Sequence, residues 1–161
     1  MISIIDNVIS EKQARYCIDK FHQDIPSTLF HGKTIISNEQ NFRDDLQFVE
    51  IMNSIIQYAY LLNPLIEVEW SELNYWPTLT GVGLHYDTSS DETVFTSVTY
   101  LNNSYRGGET YFEDGTVVSP VIGRTVFFDG NKYKHGVMQL SHGSRFSLPV
   151  WYKKKDLIND I

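Results

Sequence analysis

The chain has 161 residues, of which 42% are hydrophobic and 14% aromatic, enough to bury a core and too apolar for a disordered polymer. Its formal charge of −7 disfavours a binder of phosphate backbones, which presents a basic stripe. One cysteine, Cys17, excludes an intrachain disulfide, and no apolar run approaches the roughly 18 residues of a membrane span, so residues 1–161 read as one soluble, cytoplasmic domain without nucleic-acid or membrane partners.

Residues 2–9 alternate imperfectly and predict a short first strand or extended lead-in. Ser10 and Gln13 have capping-box spacing, which predicts a helix from there to about Gln23. Ala14, Cys17, Ile18 and Phe21 form its apolar face, so Cys17 reads as a small buried hydrophobe rather than a reactive thiol. Residues 24–43 predict loop plus a weak strand around Thr34 to Ile36. A second helix is expected from Asp44 or Asp45, where acids favour a helix N-terminus. Its expected apolar stripe is Leu46, Val49, Met52, Ile55, Ile56 and Ala59, and Asn63-Pro64 ends it. A helix with one apolar face packs on a sheet.

From Leu65 the texture changes to strands. IEVEWSELNYW, VGLHYD, VFTSVTYLN, GETYF, TVVSPVIGRTVFF, KHGVMQL and RFSLPVWY follow one another, separated by turn signals such as Asp114-Gly115 and Asp129-Gly130-Asn131. About eight short strands in this order predict a sandwich or barrel rather than alternating α/β units.

Within that region lies GLHYD. On a strand, His85 and Asp87 project from one face, and a further histidine from a facing strand would complete the two-histidine, one-carboxylate set that suits non-haem Fe(II). His135, which opens a strand, is favoured over His142, which lies inside a Ser-His-Gly-Ser turn. An H-x-D tripeptide also arises as a surface hydrogen bond, and His22 and His31 read as exposed structural histidines. Arg145, ten residues after His135 in an aromatic strand, requires a partner if buried: an ordinary salt bridge, or the carboxylate of a ligand.

The segments LNYWPTLTGVGLHYD, TSVTYLNNSYRGGETYF, VSPVIGRTVFFDGNKYKHGV and GSRFSLPVWY together resemble the prolyl 4-hydroxylase-like branch of the Fe(II)/2-oxoglutarate dioxygenases, over roughly Glu69 to Tyr152. The resemblance implies a mainly β protein. Its core would be a double-stranded β-helix (jelly roll) over about 65–152, supported by N-terminal α-helices over about 1–64. It implies His85, Asp87 and His135 as catalytic iron ligands, and Arg145 and Tyr100 on the C5 carboxylate of 2-oxoglutarate. Tyr75, ten residues before His85, matches a tyrosine lining the cosubstrate pocket, and core packing with a satisfied hydroxyl is the alternative for it and for Tyr100; Thr110 and Trp151 are expected to line the pocket.

The implied reaction hydroxylates a C–H bond with O2, converting 2-oxoglutarate to succinate and CO2, with ascorbate as an accompanying reductant. A peptidyl proline is the leading substrate. A small molecule or free amino acid is the alternative, and a non-catalytic metal-binding jelly-roll module the rival of another class. Many collagen-type members carry lysine where Arg145 stands. Related halogenases lack the carboxylate that Asp87 supplies, which favours hydroxylation. The nucleic-acid demethylating branch generally has a further arginine, whereas only Lys153, Lys154 and Lys155 follow here. Pro149 is expected to interrupt the hydrogen bonding of the last strand.

Overall fold

The structure is a computed structural model, and it describes residues 1–24, 36–39, 44–87 and 90–156. The chain begins with β1 (Ile2–Ile5), α1 (Glu11–Asp24), β2 (Ile36–Glu39) and α2 (Leu46–Leu62). Of the weak strand expected around Thr34 to Ile36, only Ile36 lies among the described residues, where it opens β2; Thr34, Ile35 and His31 lie outside them.

Both helices start where their caps dictate. The Gln13 N–H donates to Ser10 Oγ at 3.1 Å and the Ser10 N–H donates to Gln13 Oε1 at 2.9 Å, a reciprocal capping box. Asp45 caps α2 by accepting the Phe48 N–H at 3.0 Å, and it also accepts from Tyr16 and Lys20 of α1. That anchoring sets the rotation of α2. Its buried line is Phe48, Ile51, Met52, Ile55 and Ala59, whereas Leu46, expected on the apolar stripe, is 79% exposed. The Asn63 N–H closes the helix on the Ala59 carbonyl at 2.8 Å, as the Asn-Pro signal predicts.

Eight strands then roll up: β3 (Ile66–Trp76), β4 (Val82–His85), β5 (Thr93–Tyr100), β6 (Thr110–Phe112), β7 (Val117–Val118), β8 (Thr125–Phe128), β9 (His135–Val137) and β10 (Arg145–Lys154). They pair as nested antiparallel partners, β3 with β10, β4 with β9, β5 with β8 and β6 with β7. From β3 to β10 successive strands therefore alternate between two sheets, except for the innermost hairpin β6–β7, which stays in one; the sheets are ordered β1-β8-β5-β10-β3-β2 and β4-β9-β6-β7. A long hairpin wound this way is the double-stranded β-helix, with β1 and β2 extending the larger sheet at its edges. The Asp114-Gly115 turn closes the innermost pair; Gly115 takes φ 92°, a conformation open to glycine.

The strand β10 divides the molecule. Phe146, Leu148, Val150 and Tyr152 join one core with Phe21 of α1 and with Phe48, Met52 and Ile55 of α2. Arg145, Ser147, Pro149 and Trp151 line a cavity on the opposite face, between the two sheets. This is the period-2 alternation of a strand buried on both sides. The strand runs unbroken through Pro149, which pairs with Val98 of β5, while pairing toward β3 skips Leu148 and Pro149. The predicted interruption is thus confined to one side, where proline has no N–H to give.

Candidate metal centre

His85 ends β4 directly opposite His135, the first residue of β9. An irregularity in β4 between Val82 and His85 spans three residues against two on β9, and with it His85 reaches the cavity. Asp87 lies beyond the strand rather than on it, because the Asp87 N–H leaves the ladder and donates to the Gly130 carbonyl at 2.9 Å. The alternation survives the end of the strand. Tyr86 is 41% exposed, while His85 and Asp87 both line the cavity.

The three side chains converge. One ligand atom from each of His85, Asp87 and His135 can be chosen so that all lie within 4.8 Å of one another. Asp87 Oδ1 is 3.4 Å from His135 Nε2 and 3.7 Å from His85 Nε2. Each ring turns its other nitrogen to a carbonyl two residues earlier, His85 Nδ1 to Gly83 at 2.9 Å and His135 Nδ1 to Tyr133 at 3.4 Å. With Nδ1–H so engaged, Nε2 is the nitrogen left free to ligate a metal on both. The His135 ring is further fixed against Phe128, 4.5 Å between centroids.

Asp87 is secured from behind. The Thr96 hydroxyl donates to Asp87 Oδ2 at 2.7 Å, and a Cβ on Gly130 would lie 2.4 Å from Thr96 Oγ1 and 3.2 Å from Asp87 Oδ2. Burial would raise the Asp87 carboxyl, but its interactions with His135, Thr96 and His85 outweigh that and hold it below the usual carboxylate range. An ionised, oriented carboxylate beside two imidazoles matches the donor set of a divalent transition metal with positions left open.

Arg145 lines the same cavity, of about 180 Å³. It is 1% exposed, and among the described residues no carboxylate lies within 4 Å of it. The ordinary salt bridge is therefore absent there. Its Nη2 donates to Thr110 Oγ1 at 3.4 Å, its Nε has no partner, and its Cζ lies 5.3 Å from the ring centroids of both Trp76 and Tyr100. A buried cation without an anion is costly. Asp87, the carboxylate of the same cavity, is turned to the two histidines and does not reach this guanidinium. The indole nitrogens of Trp76 and Trp151, both residues of the cavity lining, are likewise buried and have no partner among the described residues.

The two tyrosines expected near this cation differ. Tyr100 is fully buried beneath Arg145, but its hydroxyl is 2.8 Å from Thr110 Oγ1 and 2.9 Å from the Val118 carbonyl, and accepts the Thr110 N–H at 2.9 Å. Tyr75 is not brought to the cavity. It belongs to the helix-side core, against Phe21 and Phe146, and its hydroxyl accepts from Ser144 at 3.2 Å. Strand parity is the reason, since Asn74 and Trp76 take the cavity face of β3 and leave Tyr75 the other. Trp76, paired with Arg145 in register, stands where Tyr75 was expected.

Thr96, Gly130 and Trp76 are the contributors that sequence reasoning missed. Trp76 could have been found from parity, given the pairing of β3 with β10. Nothing distinguished Thr96 in a strand rich in hydroxyl residues. His142 is exposed, with Nδ1 3.1 Å from Ser141 Oγ, and lies outside the cluster. His22 is exposed as expected, its ring edge-on to Phe21 and Phe146.

No family model and no curated relative matches the sequence. Solved structures do match. The viral collagen prolyl hydroxylase of Paramecium Bursaria Chlorella virus-1, in its 2OG complex, superposes with a TM-score of 0.79 at 15% identity, covering 96% of each chain. A Pseudomonas putida prolyl-4-hydroxylase gives 0.77 at 18% identity, covering 96% of this chain and 93% of that one. A Trichoplax adhaerens prolyl hydroxylase, in complex with a hypoxia inducible factor peptide fragment, gives 0.76 at 15% identity, covering 95% and 83%. The chain has the double-stranded β-helix found in 2OG-Fe(II) oxygenases. That fold superposes over 96% of this chain on the viral and Pseudomonas putida prolyl hydroxylase structures.

Proposed function

We propose that this protein is an Fe(II)- and 2-oxoglutarate-dependent dioxygenase that hydroxylates a C–H bond, with a peptidyl proline as substrate. The observation that carries the reading is one cavity holding both a convergent His85–Asp87–His135 face and the buried, anion-less Arg145. A metal-storing module would use the first and have no need of the second. The bound ferrous ion and 2-oxoglutarate supply the oxygen activation that amino-acid side chains lack.

The chain's own residues bind and orient. His85 and His135 present Nε2 and Asp87 presents Oδ1 to the metal, with Thr96 holding the other carboxylate oxygen. Arg145 would bind the far carboxylate of the diacid through its guanidinium edge, and the unpartnered indole N–H groups of Trp76 and Trp151, residues of the same lining, would be available as further donors. Val98, Val137 and Pro149 line the remaining walls and exclude water from the reacting carbon. The peptide substrate is supported by the Trichoplax adhaerens likeness. A cytoplasmic location fits the buried free thiol of Cys17; no helix among the described residues is long and apolar enough to cross a membrane. Ascorbate would serve as a reductant.

The test is anaerobic addition of Fe(II) and 2-oxoglutarate. A weak visible charge-transfer band is expected, lost in His85→Ala. Arg145→Ala is expected to raise the 2-oxoglutarate concentration needed to form it. Tight zinc retention without such a band would favour the non-catalytic module. Proline-rich peptides incubated aerobically should gain the mass of one oxygen.

A further inference from the structure

Tyr105 belongs to no part of the ligand scheme above, yet it packs against Trp76 and Val137, which line the cavity beside Arg145. It sits on the loop between β5 and β6, which is clamped to the loop before β10. There the Arg106 N–H donates to the His142 carbonyl at 3.0 Å, the Ser141 N–H to Arg106 at 2.9 Å and the Gly108 N–H to Met138 at 3.0 Å. Gly108 takes φ +73°, and a Cβ there would meet Tyr105 Cε2 at 2.9 Å and Arg145 Cδ at 3.3 Å. The missing side chain lets the tyrosine ring and the arginine stem lie together.

That ring packs with Trp76, Val137 and Leu140. Among the described residues its hydroxyl is buried without a hydrogen-bond partner, and so is Arg145 Nε. Burial raises the Tyr105 phenol while the neighbouring Arg145 draws it partly back, so the hydroxyl is neutral and can accept from a guanidinium N–H. Two complementary orphans beside one another mark an interaction that the pocket is built to make.

We propose that Tyr105 is a positioning residue: its hydroxyl accepts from the Arg145 guanidinium and fixes the depth of that group between Trp76 and Tyr100, so that the cavity takes a five-carbon 2-oxo diacid in preference to its six-carbon homologue. The inference rests on the oxygenase reading. A guanidinium with two aromatic rings 5.3 Å from its Cζ and a hydroxyl accepting from one of its N–H groups cannot retreat to admit one more methylene. Released from the hydroxyl, it can.

The test is calorimetric titration of the full chain loaded with Mn(II), which supports binding without turnover, using 2-oxoglutarate and 2-oxoadipate. Tyr105→Phe is expected to weaken 2-oxoglutarate about tenfold, the worth of one hydrogen bond to a charged group. It should weaken 2-oxoadipate much less, so the preference collapses while Mn(II) affinity stays at the wild-type value. Should the variant also melt earlier, the ratio of the two affinities still decides, because loss of folded protein scales both alike. Unchanged affinities, or an equal loss for both acids, would overturn the proposal. If the wild-type protein binds neither acid, the oxygenase reading itself fails.

Discussion

Thr96 shows how much of the centre depends on residues that never touch a ligand. Its hydroxyl holds Asp87 Oδ2 at 2.7 Å while the other oxygen faces the histidines. Thr96→Val keeps the shape and removes that hydrogen bond, so the carboxylate is free to rotate. The expected result is a loss of about 10- to 100-fold in divalent-metal affinity, measured by Mn(II) titration, with a stability change of only about 1 kcal/mol. His85, Asp87 and His135 were legible because ligand chemistry demands particular residue types at particular spacings. Thr96 and Gly130 were not, because a hydroxyl and a missing side chain act through proximity that only tertiary structure creates. Tyr75 was misplaced for a related reason: counting from His85 crosses a turn whose length decides parity, and here it leaves Trp76 facing inward.

Among the elements, α2 illustrates where periodicity falls short. The helix and its two ends were readable from Asp45 and Asn63-Pro64, but the buried line was rotated to Phe48 and Ile51, leaving Leu46 in solvent. Hydrophobic spacing allows several adjacent stripes, and the bond network of Asp45 with Tyr16, Lys20 and Phe48 selects one. The same network pushes the Tyr16 phenol up to about 12. For Asp45, partial burial acts upward but is outweighed by bonds from Phe48, Tyr16 and Lys20, leaving the carboxyl below its usual value of 3.8. A carboxyl depressed in the folded state adds stability that is fully present above the unfolded pKa and is lost as pH falls through the folded one. Urea unfolding should therefore find wild type ahead of Asp45→Asn at neutral pH, with the gap closing as pH drops below about 4. At neutral pH, Asp45→Ala should cost about 1 kcal/mol, the worth of a helix cap.

For the whole molecule, the nested pairing makes β10 the most enclosed element, flanked by β3 and β5 and covered by helices on one face and the smaller sheet on the other. Hydrogen exchange should find its amides, apart from those beside Pro149, among the slowest in the protein, opening only with global unfolding. Helix α1 should exchange through smaller openings. Truncating Leu148 to alanine should cost about 2–5 kcal/mol by leaving a hole between sheet and helices. The fold class was legible because strand signals and turn signals alternate plainly after Leu65. The order of the sheets was not a matter of local pattern, since it rests on partners as distant as Trp76 and Arg145.

The two-sidedness of β10 carries a consequence for how such a chain can vary. Its odd-numbered positions from Arg145 to Trp151 line the cavity and its even-numbered ones pack with the helices, so inserting or deleting a single residue in mid-strand would exchange the two faces downstream of the edit. The same fold is reached at 15% identity to a viral prolyl hydroxylase over 96% of the length, but the tally of residues from Arg145 to Tyr152 behaves like a reading frame.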